Sequence, residues 1–389
     1  SIGLPTYKDF VLKHRSWSAS MERLQLRMEP AEPWQLVIGY SEYRKQLSNM
    51  QALIYKNSQL SPVKNLKDKY ADQPSTVVIV IGESTNRQHM SLYGYPRETN
   101  PKLSSIKDQL AIFTHVVSAR PYTIESLEQV LTFADEENPD LVMKKPSLMN
   151  IMKQAGYKTF WITNQQTLTK RNTMLTTFSK QMDVQYYMNN SRAQNSREYD
   201  QNVFEPLKKV LSDKAQRKFI VVHLLGTHMK YDYRYPPEFD QFNDIKVINS
   251  YDNAVLYNDY IVYNIIKTLG ETKQATMMTY FSDHGEDVYD SPPNEMLGRN
   301  EGKPTLSMYA VPFIIWNSPE WKKNHSENLN KNLNRPYSTS HFIHTWADLV
   351  GLSFEDFDAK KSIINSAFVN RPLLIGDPQI KGSLRELKQ

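Results

Sequence analysis

Three apolar, β-branched runs in this chain end on a carboxylate or an imidazole, and that pairing could hold a metal ion. Ile81 closes the run Val77-Val78-Ile79-Val80-Ile81 and is followed by Gly82-Glu83-Ser84. Met277 to Phe281 is followed by Ser282-Asp283-His284-Gly285-Glu286. A third run, Phe219 to Leu225, contains His223 and leads into Gly226-Thr227-His228. Oxygen and imidazole ligands delivered from neighbouring strand ends suit a borderline divalent cation such as zinc, at about 2.0–2.2 Å. Each residue alone has a plainer use: Glu83 as a helix cap, Asp283 as a turn former, His223 as a hydrogen-bonded core residue. Asp-His directly after a buried run, with Glu83 at a second strand end, favours a metal site.

Positioning these residues requires strands that lie side by side. Similar runs at Thr159 to Thr163 and Val311 to Trp316 bring the number to five. Helix-like segments lie between them at Ser147 to Ala155, Val203 to Leu211 and Tyr251 to Leu269. This alternation predicts an α/β fold, an α/β/α sandwich around a mainly parallel sheet. Functional groups in such folds gather beyond the carboxyl ends of the strands. Residues 1–70 read as a separate N-terminal linker or helical segment that leads to, or packs on, a catalytic domain of residues 71–389. That segment contains an amphipathic piece at 21–28 and helical spacing at 39–55.

Composition narrows the chemistry further. The 389 residues include no cysteine, which excludes disulfides, thiolate ligands and a cysteine nucleophile. The net charge of +5 favours anionic surfaces, and no basic stripe points to nucleic acid. No apolar stretch approaches the roughly 20 residues of a membrane span, and no signal peptide is visible. Beginning at Ser1, the chain reads as a portion of a longer product.

Gly82-Glu83-Ser84, followed by Ser91-Leu92-Tyr93-Gly94-Tyr95 and Glu98-Thr99-Asn100-Pro101, resembles the signature of bacterial phosphoethanolamine transferases. These belong to the alkaline-phosphatase and sulfatase superfamily. The His223 to His228 and Ser282 to Glu286 segments follow in the same order as the family's motifs, and the likeness spans about residues 75 to 350. It is strongest to the members that modify heptose in the lipopolysaccharide core.

The resemblance implies an alkaline-phosphatase-like fold and assigns roles. Thr123, in Tyr122-Thr123-Ile124-Glu125-Ser126, falls on the nucleophile; read from the residues alone, Thr123 and Ser126 compete, and Thr123 could be only an N-cap. Glu83, Asp283 and His284 become zinc ligands with Thr123. His228 resembles the histidine that binds a second metal or the substrate phosphate, and His223 is a substrate-binding candidate beside it. Other members carry one more His about a dozen residues after the Asp-His pair. Here Ser291 to Gly298 contains none, so one zinc is expected and a second lacks a ligand. The implied donor is phosphatidylethanolamine and the acceptor lipopolysaccharide. The chain would be the periplasmic domain of a Gram-negative inner-membrane protein whose N-terminal transmembrane region is missing.

The rival functions are a glycerol-phosphate transferase or phosphodiesterase on the same scaffold, or a metal-free binding module. Elsewhere, Trp161 and Asn164 end a strand on the presumed active-site side, which suggests a substrate contact. Asp135-Glu136-Glu137 reads as a solvated turn, Tyr231 to Pro237 as a structured loop, and His341 and His344 as helix-start packing.

Overall fold

The computed structural model describes residues 60, 62–167, 173–191, 196–244, 246–291, 296–325 and 327–388. The anticipated helical pieces at 21–28 and 39–55 lie outside these residues.

Seven strands form the central sheet: β1 (Ser75–Gly82), β2 (Leu110–Phe113), β3 (Lys158–Thr163), β4 (Val184–Tyr187), β5 (Arg217–His223), β6 (Thr276–Ser282) and β7 (Phe313–Asn317). Their spatial order is β2-β7-β6-β1-β5-β3-β4. The five strands from β6 to β4 run parallel, and β7 is antiparallel to both of its neighbours. All five strands read from apolar runs are present. The two additional strands, β2 and β4, are four-residue edge strands. On β4 every residue is only half-buried, so it carries no continuous apolar signal.

Alternation along β1 explains why both faces must be covered. Val77, Ile79 and Ile81 enter one hydrophobic cluster, while Val78 and Val80 enter another on the opposite face. The first cluster is covered by α1 (Thr123–Val130), α2 (Leu148–Gln154) and α5 (Phe342–Leu349), and the second by α3 (Phe204–Leu211) and α4 (Lys246–Glu271). The Ser147 hydroxyl caps α2 by accepting from the Asn150 N–H. The result is a helix–sheet–helix sandwich.

Two of the three residues in the expected solvated turn are buried instead. Asp135 is 2% exposed and Glu136 9%, while Glu137 faces solvent. The Lys361 ammonium lies 2.6 Å from Asp135, and the Ser340 hydroxyl donates to Glu136 at 2.6 Å. His341 stands 3.5 Å from Glu136 at the N-terminus of α5, and His344 packs against Phe133. The acidic run reads as surface because its neutralising partners are distant in sequence.

A second buried charge cluster ties the segment after β1 to α4. Both ring nitrogens of His89 lie 2.7 Å from a carboxylate, Nδ1 from Asp252 and Nε2 from Asp290. Burial opposes the imidazolium, but hydrogen bonds to the two carboxylates outweigh it and raise the His89 pKa to about 9. Because the folded value exceeds the unfolded value of about 6.5, the pair's stabilisation is complete below about pH 6.5 and disappears as pH rises through about 9. The linked contribution is about 3 kcal/mol. Thermal unfolding should therefore show stability falling between about pH 6.5 and 9.5, with that fall flattened in His89→Gln.

Candidate active site

The centre of the sheet brings the predicted residues together through register. Ile81 pairs with His223 on one side, and Gly82 pairs with Ser282 on the other. Glu83 and Asp283 therefore emerge at the same level from adjacent strands, and His223 lies two residues below them on the third. Glu83, His223, Asp283 and His284 are all essentially without solvent contact.

The turn after β1 is strained, and its surroundings hold it in place. Ser84 has φ +57°, an uncommon value for a residue with a side chain. Its N–H donates to Asp283 Oδ1 at 3.3 Å and its hydroxyl to Glu83 Oε1 at 2.9 Å. The Tyr251 hydroxyl, from α4, donates to Ser84 O at 2.6 Å. On the other side Gly226, at φ +56°, passes directly against Glu83.

Thr123 is the first residue of α1, and the N-cap is Tyr122. The Thr123 hydroxyl is therefore not used in capping. It donates to Glu83 Oε2 at 2.8 Å and lies 3.4 Å from His284 Nε2. Its competitor Ser126 is buried and donates to the Asp283 carbonyl at 2.5 Å, which leaves it unavailable. His284 Nδ1 lies 2.7 Å from the Gly285 carbonyl, so Nδ1 carries the proton and Nε2 presents its lone pair to the site. Nε2 is 3.0 Å from Glu83 Oε1 and 3.5 Å from Asp283 Oδ2.

This arrangement fits a divalent cation. Burial and the adjacent Glu83 carboxylate push Asp283 well above the usual carboxylate range. Burial acts on Glu83 in the same direction, but His284 outweighs it and holds Glu83 well below that range. Two carboxylates this close require a proton or a cation between them. Asp283 Oδ2 accepts no hydrogen bond, and neither ring nitrogen of His223 makes one. Burial lowers the His223 pKa to about 4, so the ring is neutral, as a ligand must be. Ligand atoms of Glu83, His223 and Asp283 lie within 4.8 Å of one another. His223, anticipated as a substrate contact, thus lies buried within a group of side chains that could hold a metal ion.

His228 does face the cleft above this cluster, together with Thr123, Gln165 and Arg299. Asn164 does not. It is fully buried, and its amide donates to Asp200 at 2.9 Å, while Asp200 also accepts the N–H groups of Leu225 and Gly226. Asn164 therefore braces the turn that carries His228, and Gln165 and Gln166 take its expected place on the cleft wall.

Arg299 joins the site without having been singled out by the sequence. Its Nη1 lies 2.6 Å from His284 Nε2 and 3.5 Å from Glu83 Oε1, and its Nε lies 3.4 Å from Glu286 Oε2. One guanidinium thus faces three buried carboxylates, Glu83, Asp283 and Glu286. The only sequence signal is its place just beyond the segment that lacks the additional histidine.

Comparison with known proteins shows the family and the fold. The Sulfatase family model matches residues 75–352. Phosphoethanolamine transferase EptC of Escherichia coli K12 is 48% identical over 396 residues, covering 98% of this chain and 69% of that protein. The chain belongs to the phosphoethanolamine transferases. The crystal structure of the C-terminal periplasmic domain of E. coli EptC in complex with Zn is 51% identical, with a TM-score of 0.81 over 84% of this chain and 96% of that one. A Vibrio parahaemolyticus protein of the alkaline phosphatase superfamily, at 16% identity and a TM-score of 0.57, shares the fold over 85% of this chain and 82% of its own. As in other α/β folds, this transferase gathers buried carboxylates and imidazoles at the carboxyl edge of the sheet.

At Gly226 a Cβ would stand 2.7 Å from both the N and the O of Glu83. Gly226→Ala should cost about 2–4 kcal/mol in denaturant unfolding, because strain and overlap add and Glu83 is displaced.

Proposed function

We propose that this transferase is zinc-dependent and moves phosphoethanolamine from phosphatidylethanolamine to lipopolysaccharide, with a core heptose as the acceptor, through a covalent Thr123 intermediate. The observation that carries the reading is the uncapped Thr123 hydroxyl, 2.8 Å from Glu83 at the N-terminus of α1 and beside the buried carboxylate–histidine cluster. Glu83, Thr123, Asp283 and His284 are the proposed ligands of one zinc, and buried His223 stands next to them. The similar E. coli EptC domain is a periplasmic domain whose crystal structure is a complex with Zn, which supports both the metal and a periplasmic location. No described helix is long and apolar enough to cross a membrane, so the proposed membrane attachment belongs to a part of the protein outside the described residues.

When bound, zinc would supply a Lewis acid for the phosphoryl oxygens and favour loss of the threonine proton. The residues perform the remaining tasks. Glu83 Oε2 holds the Thr123 hydroxyl proton and so turns an Oγ1 lone pair toward the cleft. Oγ1 bonds to phosphorus as the bond to the diacylglycerol oxygen breaks, and that oxygen finally carries away the proton lost by Thr123. Backbone N–H groups in the first turn of α1 and the Arg299 guanidinium face the charge on the transferring group. His228 holds a phosphoryl oxygen from the opposite wall. In the second step an acceptor hydroxyl attacks phosphorus, the Oγ1–P bond breaks, and Oγ1 regains a proton. Two inversions give net retention at phosphorus.

Intact-mass analysis after incubation with phosphatidylethanolamine should show a phosphoethanolamine adduct that maps to Thr123. Thr123→Ala should lose that adduct and about 10³-fold or more of turnover while retaining zinc; near-normal turnover would remove Thr123 from the mechanism. Asp283→Asn should reduce zinc stoichiometry by elemental analysis, and unchanged stoichiometry would remove Asp283 from the ligand set.

A further inference from the structure

The cleft beside Thr123 has a feature that the transfer chemistry does not use. Its wall includes four consecutive residues, Tyr122, Thr123, Ile124 and Glu125. Four consecutive residues point in different directions around a helix, so the cleft must lie over the open end of α1 rather than along one side. Two carboxylates border it, Glu83 and Glu125. Glu83 is fully engaged, with Thr123, Ser84, Gln165 and His284 around its oxygens. No hydrogen bond or ion pair engages the Glu125 carboxylate among the described residues, although it is partly shielded from solvent. Arg120, the cation that feels its charge, is itself paired with Glu301 and Asp377. The nearby amide of Gln165 is also occupied, donating to Glu83 and to the Leu224 carbonyl at 2.8 Å.

We infer that Glu125 is the specificity-determining residue for the donor headgroup, receiving the primary ammonium of phosphoethanolamine while its phosphoryl group lies over Thr123. The inference rests on the function proposed above and adds the means by which this headgroup is chosen. The cleft offers both charges that a zwitterion needs. Arg299 and the backbone N–H groups that open α1 are the cationic groups next to Thr123, and Glu125, in the first turn of the same helix, is the anionic one. The two charges of phosphoethanolamine are joined by only two methylene groups, so an ammonium must end within one helical turn of the nucleophile. Glu125 is two residues from Thr123. Ile124, Leu175 and Leu225 border the same cleft and provide apolar contact for the methylenes. The Tyr122 ring, which already has the Arg299 guanidinium 5.9 Å from its centroid, offers a second surface that tolerates a cation. A glycerol headgroup has no charge to pair with Glu125, and a trimethylated ammonium cannot donate a hydrogen bond to it. An acceptor phosphate would be repelled there.

The test compares phosphatidylethanolamine, phosphatidylcholine and phosphatidylglycerol as donors, with KM and kcat measured separately in the zinc-loaded protein. Glu125→Gln should raise KM for phosphatidylethanolamine about tenfold or more and reduce its preference over phosphatidylglycerol by a similar factor. Glu125→Asp should recover part of that preference, and Glu125→Lys should abolish it. Zinc content should match the wild type in all three, and the thermal midpoint should stay close to it in Glu125→Gln and Glu125→Asp, because no hydrogen bond or ion pair to the carboxylate is lost, whereas Glu125→Lys places a cation in the first turn of α1 and should lower it modestly. An unchanged donor preference in folded, zinc-loaded Glu125→Gln and Glu125→Lys overturns the assignment. If the wild-type protein forms no phosphoethanolamine adduct on Thr123, the parent function fails and the assignment fails with it.

Discussion

Glu83 and Asp283 are forced together at the ends of adjacent parallel strands, with almost no water around them. Left ionised and unpaired, two such carboxylates would repel each other strongly in a medium of low polarity. The surrounding structure is arranged around this conflict. Arg299 supplies positive charge, Ser84 accepts an unusual backbone angle to donate its N–H, and Thr123 offers its hydroxyl. Neutral His223 stands ready beside them without a hydrogen bond. A cation resolves the repulsion more completely than a shared proton, because several of these donors can coordinate it at once.

The same constraint separates the work of the neighbouring turns. Asp200 accepts the N–H groups of Leu225 and Gly226, so the turn after β5 passes against Glu83 and carries His228 to the cleft. Asn164 contributes by holding Asp200 rather than by touching substrate. On the opposite side α4 secures the segment after β1 through Tyr251 and the His89–Asp252 contact. The site is therefore built on strand ends and braced by helices, which suits a reaction that depends on placing a phosphoryl group accurately.

Thr123 shows how position rather than residue type leaves a hydroxyl free to act. Thr123 and Ser126 both carry hydroxyls in one helical turn, yet only Thr123 is free of backbone obligations. Its neighbour Glu125 is also unengaged, at the end of the helix where the cleft opens. A helix that begins at the site thus presents a hydroxyl, backbone donors and a carboxylate within a single turn.

The five central strands, the long helices and the strand-end residues Glu83, Asp283 and His284 were legible because each is written in local sequence. Apolar runs mark buried strands, helical spacing marks the covering layers, and polar residues directly after such runs mark the sheet edge. The choice of Thr123 required the family resemblance, since nothing local separates it from Ser126. The edge strands escaped because each is only four residues long, and β4 is half-buried throughout and lacks an apolar pattern. Asp135 and Glu136 read as surface because Lys361 and His341, which face them, lie about two hundred residues away. Arg299, the bracing role of Asn164 and the burial of His223 depended on which strands became neighbours. Sequence by itself determined the sheet, its covering helices and the chemical types at its edge. Only the tertiary structure decided which of those groups share one buried space, because register and long-range packing, not local pattern, bring distant charges within reach.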